Sequence, residues 1–234
     1  MKPSNKKIIV ILFGPPGAGK GTQASLLAEK LSLYYFETSK IIEESFNGAK
    51  KNDFIKVEKK KYFLSNEKKL WKAGILCSPP FVTQLVKNKI NELFKEGESL
   101  ILAGSPRTLY EGKEVTPLLK KLYGKENIKI VLIKLKGKDS IFRNSHRRIC
   151  ELMRHPILYN KETIRLTKCP LDGSKLMKRK GLDDPKTIKI RLKEYKERTF
   201  PLVKLFKQQG LKVKEVSGFG SVSKVFSDIL KAIK

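Results

Sequence analysis

A glycine-rich segment near the start of the chain has the composition and spacing of a phosphate-binding loop. Residues 14–22 read GPPGAGKGT and follow a short apolar run. Glycines let the backbone turn tightly and point N–H groups at an anion, and a helix N-terminus adds partial positive charge. Lys20 can reach the outer phosphates of a nucleotide, and the Thr22 hydroxyl can hold Mg²⁺. The residues predicted to contact the triphosphate are Gly14, Gly17, Ala18, Gly19, Lys20, Gly21 and Thr22.

Arginines form the second group of residues whose chemistry suits phosphates. Phosphoryl transfer needs positioning and neutralisation of charge around the transferred group. Planar guanidinium groups bind phosphate oxygens through paired hydrogen bonds, which lysine cannot do. Arginines from separate segments would close over two bound substrates and exclude water. The candidates are Arg107, Arg143, Arg147, Arg148, Arg179 and Arg191.

The segments that must position these residues alternate between strand and helix. Apolar runs predict strands at residues 8–13, 33–36, 100–103, 128–135 and 213–216. Helical periodicity follows the loop at residues 22–31, and Ser221 can cap an amphipathic C-terminal helix. Strands separated by helices indicate βαβ units. We therefore predict an α/β fold, a three-layer parallel sheet of about five strands flanked by helices.

Two segments depart from the alternation and are predicted to project from the carboxyl edge of the sheet. Residues 39–80 are helical by pattern but carry few large apolar faces, and residues 147–182 contain several turn signals. The predicted division is a core of residues 1–37, 81–146 and 183–234, an acceptor-binding insertion of residues 38–80, and a lid insertion of residues 147–182.

The chain resembles the adenylate kinase family. The loop GPPGAGKGTQ has that family's form, and GSPRT at residues 104–108 matches the segment that ends the third strand. Arg143, Arg147 and Arg148 reproduce an R-x-x-x-R-R pattern at the entrance to the family's lid. Arg191 resembles the arginine of the helix that closes over the phosphates. The resemblance implies transfer of the ATP γ-phosphoryl group to a nucleoside monophosphate, with AMP favoured, by a monomer that uses Mg²⁺.

The same resemblance assigns roles to individual residues. Arg107 would hold the acceptor phosphate, Arg143 would stack on the donor base, and Arg147, Arg179 and Arg191 would clamp the transferred group. Val222 would contact the donor nucleotide. The residues implied for the acceptor site are Thr38, Lys40, Leu76, Cys77, Gly104, Arg107 and Glu111.

The acceptor half departs from the family pattern. Glu43 occupies the position of an arginine, Ala103 that of an aspartate, and Glu111 that of a glutamine that reads the adenine edge. An ionised glutamate accepts hydrogen bonds but donates none. Two alternatives therefore stay open beside AMP: the same chemistry with CMP or UMP, or a P-loop protein that binds nucleotide and RNA with weak or no kinase activity.

Four residues of the 147–182 segment have metal-binding chemistry: Cys150, His155, Cys169 and Asp172. Some family members carry a four-ligand zinc knuckle there, but Met153 stands at the second ligand position of this chain. His155 could supply a nitrogen and complete a structural zinc site. The other interpretation is a knuckle without metal, whose cysteines pack as small apolar groups. The irregular spacing favours the latter.

The composition limits the class of protein and its cellular location. The 234 residues fit one globular domain with small insertions, and no apolar run approaches the ~20 residues that cross a membrane. Three cysteines without a signal sequence indicate a reducing compartment, hence the cytoplasm. The net charge of +28 could attract nucleic acid, but the lysines are scattered through every segment. Unspecific charge on solvated faces is therefore the favoured interpretation.

Overall fold

Strands and helices alternate along the chain in a computed structural model that describes residues 7–179, 181 and 183–234. The strands are β1 (Ile9–Phe13), β2 (Tyr34–Phe36), β3 (Phe54–Val57), β4 (Lys60–Phe63), β5 (Leu100–Ala103), β6 (Ile128–Lys134), β7 (Arg148–Cys150), β8 (Pro156–Ile157), β9 (Leu176–Met177) and β10 (Val213–Ser217). The α-helices are α1 (Lys20–Leu31), α2 (Thr38–Ser45), α3 (Leu64–Lys72), α4 (Pro79–Lys95), α5 (Leu109–Tyr123), α6 (Gly137–His146), α7 (Pro185–Glu194), α8 (Leu202–Gln208) and α9 (Val222–Ile233). Residues 1–6, 180 and 182, which belong to the predicted core and lid, lie outside the described residues.

β1 lies at the middle of a five-stranded parallel sheet with the order β10-β6-β1-β5-β2. Ile9 pairs with Leu100 on one side and with Ile128 on the other. All five residues of β1 are buried, as a strand covered on both faces requires. The prediction of a parallel sheet of about five strands is confirmed, and the predicted strand ends differ from the observed ones by at most one residue.

Helices cover both faces of the sheet because successive side chains of a strand point to opposite sides. On one face, α1 and α9 pack against Val10 and Leu12. On the other face, α4, α5 and α8 pack against Ile9, Ile11 and Phe13. The loop that follows β1 is therefore anchored between two hydrophobic layers.

Part of the 38–80 segment is not helical, and the helical prediction is wrong there. α2 and α3 flank an antiparallel hairpin of β3 and β4. The sequence of the hairpin alternates between half-buried and exposed side chains and contains Ile55, Val57 and Tyr62, residue types that favour a pleated surface. Glu58 supplies the turn with a left-handed backbone, at φ 53°.

The 147–182 segment contains a small antiparallel sheet with the order β8-β7-β9. Its own buried cluster consists of Cys150, Ile157 and Cys169. α6 precedes this segment and α7 follows it, so its ends lie next to each other on the core. Among the described residues, no helix combines the length and the apolar character that crossing a bilayer requires.

Candidate active site

The loop between β1 and α1 has the backbone of an anion-binding turn. Gly14, Gly17 and Gly19 all have positive φ, at 151°, 76° and 90°. A side chain at Gly14 would collide with the carbonyl of Ile133, and one at Gly17 with the amide of Asn144. Glycine is therefore required at both positions by conformation and by space.

Lys20 opens α1, and its side chain folds back over the loop. Its Nζ donates hydrogen bonds to the carbonyls of Gly14 at 2.7 Å and Pro15 at 2.8 Å. Burial, followed by the charges of Arg107, Arg191 and Arg147, lowers the pKa of Lys20 to about 7. The structure thus brings three of the predicted arginines around this lysine, and the resulting field attracts a polyanion. Thr22 lies half-buried in the first turn of α1.

α6 supports the loop from the other side. Ser140 donates from its Oγ to the carbonyl of Pro16 at 2.6 Å, and Asn144 lies against Gly17. Both are buried residues on one face of α6. Arg143 on the same helix is half-buried. Ser140 and Asn144 are not among the residues predicted from the sequence, although their i, i+4 spacing places two polar side chains on one helix face.

Asp183 gathers the arginines of the lid entrance. Its carboxylate, 1% exposed, accepts hydrogen bonds from Arg147 at 2.6 Å and from Arg179 at 2.8 and 3.0 Å. Arg191 lies 4.0 Å away. Burial raises the pKa of Asp183, but the hydrogen bonds from Arg179 and Arg147 outweigh it, so the net shift is downward. Three guanidinium groups around one carboxylate leave an excess of positive charge.

Arg107 lies in the loop after β5. Its Nε donates to the carbonyl of Gly104, which has a φ of 115°. A side chain at Gly104 would meet the guanidinium of Arg107. Burial lowers the pKa of Arg107, and the nearby carboxylate of Glu111 partly opposes the shift. A glycine at position 104 therefore makes room for the arginine predicted to hold the acceptor phosphate.

Glu111 stabilises the loop that carries Arg107. Its Oε2 accepts hydrogen bonds from the backbone N–H of Arg107 at 3.1 Å and from Ser105 Oγ at 3.2 Å. Thr108 caps α5 by accepting from the N–H of Glu111 at 3.2 Å, so the two residues form a capping pair. Burial raises the pKa of the Glu111 carboxyl. Contact of Glu111 with a base stays a prediction.

The other acceptor-site candidates lie in different environments. Thr38 is fully buried, and its hydroxyl has no hydrogen-bond partner among the described residues. Cys77 is buried, and burial raises the pKa of its thiol to about 12. The backbone N–H of Leu76 donates to Glu194 at 3.2 Å. Lys40 is exposed and lies 3.6 Å from Glu37.

Glu43, which stands at the position of a family arginine, pairs with an arginine from the lid. Its carboxylate lies 3.6 Å from Arg154 Nη1, and both side chains are about half exposed. Arg154 adopts a left-handed backbone at φ 58°. The pair connects α2 with the 147–182 segment. Arg148, which was predicted at the lid entrance, donates to the carbonyls of Leu166 and Thr163 and so lies within the lid.

Comparisons with known proteins agree with this geometry. The profile of the family described as Adenylate kinase matches residues 12–211. The adenylate kinase of Methanothrix thermoacetophila is 31% identical over 227 residues, which cover 96% of this chain and 97% of that protein. The adenylate kinase of Clostridium botulinum strain Langeland is 32% identical over 222 residues, covering 94% and 95%. The chain belongs to the adenylate kinase family.

Members of this family are phosphotransferases of the nucleoside monophosphate kinase class that use ATP with Mg²⁺. In this structure, α9 contacts α1 through Val222, whose carbonyl accepts a hydrogen bond from Gln23 Nε2 at 3.0 Å. Gln23 is buried on α1. The start of α9 is thereby fixed next to the phosphate-binding helix, where the resemblance expects Val222 to contact the donor nucleotide.

The four metal-binding candidates of the lid lie together. The ligand atoms of Cys150, His155, Cys169 and Asp172 are all within 4.8 Å of one another. Asp172 Oδ2 lies 2.9 Å from Cys150 Sγ and 3.2 Å from His155 Nδ1, and Cys169 Sγ lies 3.7 Å from that nitrogen. Tetrahedral zinc bonds of about 2.0–2.3 Å separate ligand atoms by about 3.3–3.8 Å. Only the 3.7 Å distance falls in that range, so the four residue types suit zinc, and the Asp172 carboxylate would have to move a few tenths of an ångström away from Cys150 and His155 to hold the ion.

Proposed function

We propose that the chain transfers the γ-phosphoryl group of ATP reversibly to AMP and forms two molecules of ADP. The observation that carries the proposal is the grouping of Arg107, Arg147 and Arg191 around Lys20, with each residue contributed by a different segment. A protein that only binds a triphosphate has little use for such a set. The relatives named as adenylate kinases support AMP as the acceptor.

The residues of the chain have separable tasks in this reaction. The acceptor's phosphate oxygen attacks the γ-phosphorus in line, and the bond from that phosphorus to the bridging oxygen breaks. Lys20 and the loop N–H groups hold the donor phosphates, and Arg107 orients the acceptor phosphate. Arg147 and Arg191 neutralise the charge that moves between the two nucleotides. Mg²⁺, which Thr22 would help to hold, supplies further neutralisation when bound.

A coupled assay with purified protein tests the acceptor. ATP with AMP should give ADP much faster than ATP with CMP or UMP. A preference for CMP or UMP would keep the phosphoryl transfer but overturn the choice of AMP. Absence of ADP with every monophosphate would overturn the proposal.

We further propose that Cys150, His155, Cys169 and Asp172 hold a structural zinc ion. Zinc would stabilise the lid and take no part in the transfer. Metal analysis should give about one zinc per chain, and Cys169→Ser should lose the zinc and lower Tm. A metal-free protein whose Tm does not change on addition of zinc would contradict this site.

We also infer a monomer in a reducing cytoplasm. All three cysteines, Cys77, Cys150 and Cys169, are buried and none forms a disulfide, which suits a compartment where thiols stay reduced. Light scattering coupled to size-exclusion chromatography should give the mass of a single chain. A dimer mass would contradict the inference of a monomer.

A further inference from the structure

The β3–β4 hairpin has one face on the protein and one face toward solvent. Its strands pair in antiparallel register, with Ile55 opposite Tyr62. Both of these side chains pack against the main hydrophobic cluster. Because neighbouring side chains of a strand point to opposite faces, the alternate residues form the outer face. The hairpin is therefore a short two-stranded ribbon anchored through one side only.

The outer face consists of two aromatic rings and two ammonium groups. Phe54 and Phe63 are directly opposite each other, and their ring centroids lie 5.8 Å apart. Each phenylalanine is 40% exposed. Lys56 is directly opposite Lys61, and the Lys61 ammonium lies 4.3 Å from the Phe54 ring centroid. We call these four residues the hairpin face.

The two facing lysines and the exposed ring area oppose folding stability, and the ring pair and the contact of Lys61 with Phe54 offset part of that cost. Like charges directly opposite each other on a sheet are destabilising, and each exposed ring leaves apolar area in water. No described acidic side chain lies within ion-pair distance of Lys56, Lys59, Lys60 or Lys61. Residues 50–61 contain six lysines against Asp53 and Glu58, which is a net charge of +4 over twelve residues. A ligand that neutralises the lysines and covers the rings would remove both penalties.

We propose that the hairpin face binds single-stranded nucleic acid. Unpaired bases expose flat surfaces that stack on aromatic rings, and their phosphates would lie within reach of the flanking lysines. Duplex bases are already stacked and cannot use the rings. An acidic peptide would satisfy the lysines but would leave Phe54 and Phe63 without a stacking partner. The four-residue strands span about 13 Å, which suits two or three nucleotides.

This site is separate from the phosphate site. The hairpin lies between α2 and α3, and among the described residues no hydrogen bond or ion pair joins its side chains to Lys20, Arg107 or Asp183. The proposal does not depend on which monophosphate the kinase accepts. Although the hairpin belongs to the 38–80 insertion, none of the four residues of the hairpin face is among those assigned to the acceptor site. Changes to them should therefore leave ADP formation unchanged, and the two functions can be tested independently.

Fluorescence anisotropy of a labelled twelve-nucleotide RNA of mixed sequence tests the proposal with the full chain. Phe54→Leu and Phe63→Leu keep apolar bulk but remove the stacking surface, and each should weaken binding about fivefold or more. The Lys56→Gln/Lys61→Gln double variant should reduce the slope of log K against log salt by about 1.4.

Two exposed lysines at the β10 edge of the five-stranded sheet, away from the hairpin, provide a matched control. Lys212→Gln/Lys214→Gln removes the same charge next to and within β10 and should leave the affinity within about twofold. Normal ADP formation by every variant shows that it is folded. An equal loss in the control pair would assign the binding to general charge. Equal binding of duplex RNA, a preference for anionic vesicles, or no binding of the single strand at physiological salt would each overturn the proposal.

Discussion

Substitution of Asp183 should disturb the active site strongly because this one carboxylate accepts hydrogen bonds from two arginines of different segments. Arg147 follows α6 and Arg179 lies near the end of the lid, and both donate to Asp183 through their Nε and Nη2 atoms. Asp183→Asn preserves the shape of the side chain but removes its charge and one acceptor oxygen. The guanidinium groups then repel one another without compensation.

The magnitude follows from the hydrogen bonds lost. Four hydrogen bonds reach the carboxylate, two to each oxygen. Asparagine can keep the two that reach one oxygen and loses the other two. Hydrogen bonds to charged groups contribute about 1.5–3 kcal/mol each, but Arg147 and Arg179 are 25% and 22% exposed and can recover some hydration. We expect a loss of about 3 kcal/mol, at the lower end of the effect of breaking a buried ion pair. For a chain of this size, Tm should fall by about 6–12 °C.

Thermal unfolding followed by circular dichroism measures this loss. Because the folded pKa of Asp183 is lowered, its contribution is present above about pH 4 and disappears as pH falls through the folded pKa. The gap in Tm between wild type and Asp183→Asn should therefore narrow in acid. Asp184→Asn is the control, since Asp184 caps α7 at 2.9 Å and asparagine caps equally well. Equal Tm values for wild type and Asp183→Asn at neutral pH would refute the reasoning.

Three further predictions concern single side chains around the phosphates. Arg107→Ala removes a half-buried cation and should raise KM for AMP about 10- to 150-fold with little change in the Kd of ATP. Equal losses for both nucleotides would contradict the assignment of Arg107 to the acceptor. Burial and neighbouring arginines hold the pKa of Lys20 at about 7 in the free protein, and bound phosphates should raise this pKa. At about pH 8 the binding of ATP should therefore be accompanied by uptake of a proton, and the affinity for ATP should fall as pH rises. Calorimetry in buffers of different ionisation enthalpy detects that uptake, and its absence would rule out the lowered pKa. Glu111→Gln keeps one acceptor for the Arg107 loop and should change the free energy of unfolding by less than about 1 kcal/mol, whereas Glu111→Ala should lower it by about 2–3 kcal/mol. Chemical denaturation measures both values, and equal losses of stability in the two variants would argue against the loop-stabilising role of Glu111.

The parts of the fold that depend on local pattern could be predicted from the sequence. A continuously apolar strand followed by a glycine-rich turn and a lysine defines β1, the loop and α1 almost without regard to the rest of the chain. Ser221 was predicted to cap the C-terminal helix, and its Oγ accepts from the N–H of Lys224 at 3.2 Å. The amphipathic pattern of α9 placed Val225 and Ile229 in the core.

The parts that depend on distant contacts could not be predicted in the same way. The hairpin falls within a segment whose pattern predicts helix, and its alternation at Ile55 and Val57 extends over only four residues, too few to indicate a strand by itself. The partners of Asp183 and Glu43 depend on how the lid packs against the rest of the chain, and no local sequence pattern predicts that packing. Irregular spacing favours a lid without metal, and the spacing alone could not show that folding brings Cys150, His155, Cys169 and Asp172 together.

The central claim is that one positively charged site holds two nucleotides and moves a phosphoryl group between them. Phosphorus-31 NMR of the purified protein with ATP, AMP and Mg²⁺ tests it most directly. We expect the signals of ATP to be replaced by those of ADP without inorganic phosphate, and ADP alone to give ATP and AMP at the same equilibrium. Release of inorganic phosphate, or ATP that stays unchanged in the presence of AMP, would contradict it.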